Sequence, residues 1–183
     1  KQKIKRIIVS TYQAVVGTGR LALEQLINEE QNKKPKLRAY KEKIHRNIIP
    51  KCDEFIKNGY TKEEQKIIEE TNKILNSKIN ITATAVRTPT IGGHGESVNI
   101  EFYNKIGVRK IINLLKKQEG IIIDEQNKYK TPQETRGKDS VFVSRVRKDN
   151  SVLHGINMWI MADPLRKGAA TNAVQILEYI VNI

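Results

Sequence analysis

The sequence predicts an α+β domain in which a mixed, largely antiparallel sheet carries helices on one face. Three observations lead to it. β-Branched and alternating segments recur along the chain, stretches with apolar residues at helical spacing separate most of them, and the last two strand segments are joined by the short polar turn Lys148-Asp149-Asn150-Ser151, suited to a hairpin. At 183 residues with 38% hydrophobic content, a single domain over 1–183 can bury its own core.

The elements follow in order. Lys5-Arg6-Ile7-Ile8-Val9-Ser10-Thr11-Tyr12 is β-branched and aromatic without a helix signal, so it reads as the first strand. The loop Val16-Gly17-Thr18-Gly19 leads to Arg20, after which Leu23, Leu26 and Ile27 fall at helical spacing until the Lys- and Pro-containing segment 32–38, a surface loop or arm. Thr61-Lys62-Glu63-Glu64 is a capping box, and Ile67, Ile68, Thr71, Ile74 and Leu75 mark the inner face of the helix it opens. Strands return at 81–87 and 97–102, where Val98, Ile100 and Phe102 alternate with polar residues. Val108, Ile111, Ile112 and Leu115 form a third amphipathic helix, ended by Gly120 and followed by the short strand Ile121-Ile122-Ile123. Segments 141–147 and 152–161 are two further strands, and a helix over 169–181, apolar at Ala170, Val174, Leu177 and Val181, closes the chain. No internal repeat or low-complexity tract interrupts this order.

The charge balance raises a different class of function. With 33 Lys and Arg against 20 Asp and Glu, the net charge is +13, which admits a non-enzymatic basic module that binds nucleic acid through its phosphates. Yet the basic residues are interspersed with acidic ones, the one dense stretch is 32–38, and aromatic residues make up only 5%, too few for a stacking platform. A solvated lysine-rich surface is the simpler account, and nucleic acid is not the expected partner. No apolar run is long enough to span a bilayer and no signal-peptide pattern follows Lys1, so a cytoplasmic protein without a membrane partner is expected. The single cysteine, Cys52, excludes an internal disulfide, and no metal site is expected.

Four constellations could carry chemistry. Gly17-Thr18-Gly19-Arg20-Leu21-Ala22 matches a G-x-G-x-x-A dinucleotide pattern, but it also reads as a glycine turn into a helix, since a Lys-rich loop follows where a Rossmann unit places a parallel strand ending in an acid. Arg87 at a strand end, followed by Gly92-Gly93-His94-Gly95, sets a planar anion clamp near a group that titrates close to neutrality, with glycines that leave room for a ligand; a surface ion pair and a backbone-bonded histidine fit the same spacing. Glu63 and Lys66, three apart, share a helix face and form an ordinary pair unless a ligand joins them. Leu165 to Ala173 opens the last helix with small residues that permit close approach or tight packing.

Taken in order, Ser10-Thr11-Tyr12-Gln13-Ala14-Val15, then Val86-Arg87 through His94-Gly95-Glu96-Ser97-Val98, then Leu165 to Gln175 resemble the aspartate-semialdehyde dehydrogenase family over almost the whole chain. Gly59-Tyr60-Thr61-Lys62-Glu63-Glu64 and Val141-Phe142-Val143-Ser144-Arg145-Val146-Arg147 add to the likeness. The resemblance implies a fold similar to the C-terminal domain of glyceraldehyde-3-phosphate-dehydrogenase-like enzymes and a homodimer formed through a sheet face. It implies NADPH-dependent reduction of aspartyl 4-phosphate to aspartate 4-semialdehyde with release of phosphate, through a cysteine thioester, on the branch to lysine, threonine and methionine. It further implies that Gln13 orients the reacting intermediate, that His94 is the acid/base, that Arg87 binds the substrate carboxylate, and that Glu63 and Lys66 bind substrate and phosphate. Val16 and Gly17 match a segment that touches NADP, although the family usually has serine before the glycine; Pro164 stands where the family often has a cofactor-contacting asparagine.

The family nucleophile lies in an Asn-Cys-Ser/Thr-Thr motif upstream of the glutamine, and neither it nor the family's Rossmann fingerprint occurs in these residues. Cys52 lies downstream of Gln13 in Ile49-Pro50-Lys51-Cys52-Asp53, with no neighbour that would favour a thiolate, so it reads as a structural thiol. By the same resemblance this chain alone is expected to be inactive, and its last helix, about 166–183, is expected to pack toward the nucleotide-binding domain.

Overall fold

The computed structural model describes residues 3–182; the expected helix end at 183 lies outside them. Strand β1 (Ile4–Gln13) leads through a 3-10 turn (Val15–Thr18) into α1 (Arg20–Glu30), and the long connection ends at α2 (Lys62–Ile74). There follow β2 (Asn80–Arg87), β3 (His94–Phe102), α3 (Val108–Leu115), β4 (Ile121–Asp124), the short α4 (Pro132–Thr135), β5 (Val141–Asp149) and β6 (Gly155–Ala162). A π-helical turn (Arg166–Ala170) runs into α5 (Thr171–Val181).

The six strands form one mixed sheet in the order β2-β1-β3-β6-β5-β4. The three inner pairings are antiparallel and the two outer ones, β1 with β2 and β4 with β5, are parallel. Strand alternation sends Ile7, Val9, Ala83, Val98, Ile156, Met158 and Val143 to one face, where Ile67 and Ile68 of α2 and Val108, Ile111 and Leu115 of α3 close the main core over them. The opposite face carries Ile8, Ser10, Tyr12, Ser97, Asn99, Asn157 and Trp159, all at least partly exposed. There Tyr12 and Trp159 pack with ring centroids 5.4 Å apart, and Asn99 donates to both Asp149 and Asn157. A second cluster, Val15, Ala22, Leu26, Ile44 and Ile49, fixes α1 beside the end of β1.

Several boundaries differ from expectation for local reasons. β3 begins at His94, four residues before Val98, the first alternating apolar residue, because Gly95 and Glu96 continue the ladder to β1 and β6; Gly95 lies close to Trp159, where a Cβ would stand 2.5 Å from the indole. β6 starts at Gly155 because Asp149 accepts hydrogen bonds from the Ser151 amide and hydroxyl and lengthens the hairpin turn. The unpredicted α4 opens on a complete capping box of its own, Thr131 with Glu134. The parallel strand that a Rossmann unit needs does arrive, as β2 after α2, but it ends in Arg87, a cation where the ribose-binding acid would stand. Gly19, with φ 107°, is the N-cap of α1, so the glycine pair works as a turn into a helix.

Candidate active site

Side chains of laterally paired strand residues share a face. The register pairs Gln13 with Arg87 and Thr11 with Glu96, so the end of β1 places Gln13 beside Arg87 on the helix-covered side. The first turn of α2 is held there by its cap. Thr61 Oγ1 accepts the Glu64 amide, Glu64 Oε2 accepts the Thr61 amide at 2.7 Å, and Glu64 Oε1 accepts the amide of Ala85 in β2 at 2.8 Å. This docking brings Glu63 to Gln13, whose Nε2 donates to Glu63 Oε1 at 2.9 Å. Lys66 lies at the rim, its side chain 59% exposed and its Nζ 3.9 Å from Glu63 Oε2.

Beyond β1 the backbone of Ala14 is a hub. Its N–H donates to His94 Nδ1 at 3.1 Å and its carbonyl accepts from Arg87 Nη1 at 2.8 Å. Each of the two peptide groups that meet at Ala14 is tied at its other end as well, Thr88 N–H donating to Gln13 O at 2.9 Å and Val15 N–H to Thr90 O at 3.0 Å. Gly17 in the following turn lies against both side chains: a Cβ on it would stand 2.6 Å from His94 Nε2 and 3.5 Å from Arg87 Nη1. Arg87 and His94 therefore meet at Gly17, with Gln13 and Glu63 adjoining through the backbone of Ala14. Arg87 is buried, and its Nε has no hydrogen-bond partner among the described residues. Burial first, and the Arg87 charge second, hold the His94 imidazole down to about 4 against a partial pull upward by Asp163.

Val16 and Gly17 both lie on this 3-10 turn, and Gly17 is the one that meets His94 and Arg87. Pro164 lies two residues beyond Ala162, the β6 partner of His94, at the same end of the sheet. Between them stands a group that the sequence reading missed, the buried Asp163, which accepts from the amides of Gly137, Leu165 and Arg166. An aspartate followed by proline at the mouth of a helix is a capping signal that could have found it. The glycines before and after His94 do not leave room for a ligand. A Cβ on Gly92 would stand 2.1 Å from the Pro132 carbonyl and one on Gly93 2.0 Å from Thr135 Oγ1, so these glycines admit α4, and Gly95 admits Trp159.

Cys52 is buried, and burial pushes its thiol up to about 11, which leaves it protonated and unreactive at neutral pH. Among the described residues no group of His, Cys, Asp and Glu could hold a metal ion, and no helix is long and apolar enough to cross a membrane.

A family model described as "Semialdehyde dehydrogenase, dimerisation domain" matches residues 1–167. An aspartate-semialdehyde dehydrogenase of Aquifex aeolicus is 43% identical over 99% of this chain and 56% of its own length. One from Rickettsia typhi is 41% identical over 98% of the chain and 55% of its own length. A crystal structure of aspartate semialdehyde dehydrogenase II from Vibrio cholerae complexed with ASA superposes with a TM-score of 0.93 at 40% identity, over 98% of this chain and 55% of that one. The chain thus spans about half the length of the curated relatives it matches.

Proposed function

Because the chain belongs to the semialdehyde dehydrogenase dimerisation-domain family, we propose that it is the substrate-binding and dimerising part of an aspartate-semialdehyde dehydrogenase. Such an enzyme converts aspartyl 4-phosphate to aspartate 4-semialdehyde with NADPH, and a cytoplasmic place in lysine, threonine and methionine biosynthesis goes with that reading. The observation that carries it is the convergence of Arg87 and His94 on Gly17 beside the Gln13–Glu63 pair.

Each side chain has a task its surroundings suit. A substrate carboxylate along the Nε–Nη2 edge of Arg87 would satisfy the buried Nε while Nη1 stays on the Ala14 carbonyl. Glu63 is placed to take the substrate ammonium, and its bond to Gln13 Nε2 fixes the amide so that its second hydrogen serves the reacting oxygen. Lys66, a half-exposed ammonium on the rim, suits the phosphate. His94 serves the carbonyl oxygen and its proton. Bound NADPH supplies the hydride; Val16, Gly17 and Pro164 are the residues here that would meet it. Gly17 fits that duty because the turn offers an exposed backbone where any side chain would fill the cleft, and Pro164 offers only ring and carbonyl atoms.

The homodimer would form through the sheet face that α2 and α3 leave uncovered, with Tyr12 and Trp159 in its apolar part. The exposed apolar side chains of α5 would pack on the nucleotide-binding part of the enzyme. The test is Arg87→Lys in a full-length enzyme carrying this chain. KM for the semialdehyde rises by about tenfold or more with a smaller change in kcat, because an ammonium cannot make the two-pronged contact. An unchanged KM removes the carboxylate site from Arg87.

A further inference from the structure

We infer that Asp163 is a positioning residue: its buried carboxylate is a joint that locks the segment approaching His94 to the turn that carries Pro164. This rests on the active-site reading above and adds to it a residue that acts through its neighbours. The carrying observation is how the two carboxylate oxygens divide their partners. Oδ2 accepts the Gly137 amide at 2.6 Å, just beyond α4, while Oδ1 accepts the amides of Leu165 and Arg166 at 2.8 and 3.2 Å, where the π-helical turn opens. The Asp163 carbonyl takes a further amide of that turn, from Gly168 at 3.0 Å. Asp163 is buried, so these bonds stand in for the water its carboxylate has given up.

Each oxygen leads to one part of the site. On the Oδ2 side, α4 holds the residue before His94: the Pro132 carbonyl accepts the Gly93 amide at 2.8 Å. Gly93 is wedged there, since a Cβ on it would stand 2.0 Å from Thr135 Oγ1 and 3.1 Å from the Ala162 carbonyl. His94 itself pairs with Ala162, so this path returns to the residue before Asp163. On the Oδ1 side, the two bonds fix the peptides that follow Pro164 and the start of the helix running into α5. Arg166 and Asp139 tie the same two segments a second time, but both side chains are about half exposed, where water competes and an ion pair contributes little. The buried, charge-assisted set therefore decides the geometry. All three groups that face the carboxylate are donors. An asparagine amide offers one oxygen and one NH2, so whichever way it turns an N–H meets an N–H and one segment is released.

Two measurements test this. In the 183-residue chain, the amides of Gly137, Leu165 and Arg166 lie outside the sheet ladders, yet the joint should make all three exchange slowly with solvent. Asp163→Asn loses that protection on one side of the joint, and Asp139→Asn keeps it on both. Fast exchange in the wild type, or equal loss in the two variants, overturns the inference whatever the enzyme does. An Asp163→Asn chain that no longer folds makes the carboxylate a support of the whole domain and overturns the local role. In a full-length enzyme carrying this chain, Asp163→Asn lowers kcat and raises KM for NADP, together about 10- to 10²-fold in kcat/KM, as displaced groups do. KM for the semialdehyde stays unchanged, because Arg87 and Glu63 stand on β2 and α2, outside the joint. A fall in kcat with KM for NADP unmoved is the effect of the lost charge on His94 alone, and an equal rise in both KM values is a general loosening; either overturns the positioning role. A wild-type enzyme that turns over no semialdehyde while the three amides stay protected sinks the proposed function and leaves the joint standing.

Discussion

Single peptides and side chains decide the chemistry of the cleft. Ala14 has no functional side chain, yet its N–H and C=O bond His94 and Arg87 and hold the two side chains in place. One consequence is measurable in the isolated chain. The His94 imidazole is held at about 4, below its ordinary value of 6.5, so between these values the unfolded chain binds more protons than the folded one. Stability therefore rises with pH across that window and is lost as pH falls from 6.5 toward 4, by on the order of 3 kcal/mol for this group. Denaturant unfolding measured from pH 7 to 4 should show a shallower loss in His94→Gln than in the wild type. Parallel curves would mean that His94 takes up its proton as easily folded as unfolded.

Among the elements, α2 links fold and site most directly. Its capping box positions the first turn, Glu64 ties that turn to β2, and Glu63 on the same turn reaches Gln13. Loss of an N-cap side chain costs about 0.5–2 kcal/mol. Thr61→Ala should lower the stability of the chain by that amount, and Thr61→Ser should restore most of it, as read from the denaturant midpoint. A Thr61→Ala chain as stable as the wild type would show that α2 is held by packing alone. The short α4 has a comparable duty on the other side: its Pro132 carbonyl accepts from the Gly93 amide at 2.8 Å, which anchors the residue before His94.

For the molecule as a whole, the surfaces left open are as informative as the core. The apolar side chains of α5 stand in solvent, Leu177 being 60% and Val181 72% exposed, while Arg166 makes a bidentate pair with Asp139 at the base of the helix. A helix apolar over much of its surface calls for a covering partner. The cleft is incomplete in another sense, since the one thiol in the chain is buried and protonated. The 183 residues alone should therefore show no turnover when assayed with phosphate, NADP and the semialdehyde. Turnover that vanished in Cys52→Ser would overturn the structural assignment of that thiol. The nucleic-acid alternative is replaced by the family match, and the dense stretch at 32–38 lies largely exposed in the connection after α1.

The sequence by itself determined the sheet and its major helices, because alternation, helical spacing and the Thr61 cap are local signals that tertiary packing here reinforces. It also brought out Arg87, His94, Gln13, Glu63 and Lys66 as an ordered set, through a resemblance that spans the chain. It did not place His94 within β3, show α4, or explain Gly92 and Gly93, whose neighbours are Pro132 and Thr135 about forty residues away. Nor could it show that Asp163 gathers three amides, or that a backbone N–H eighty residues from His94 donates to its Nδ1. Those were decided only by the tertiary structure, since hydrogen-bond direction and steric closeness depend on which distant segments the sheet register brings together, and a linear pattern carries no record of that distance.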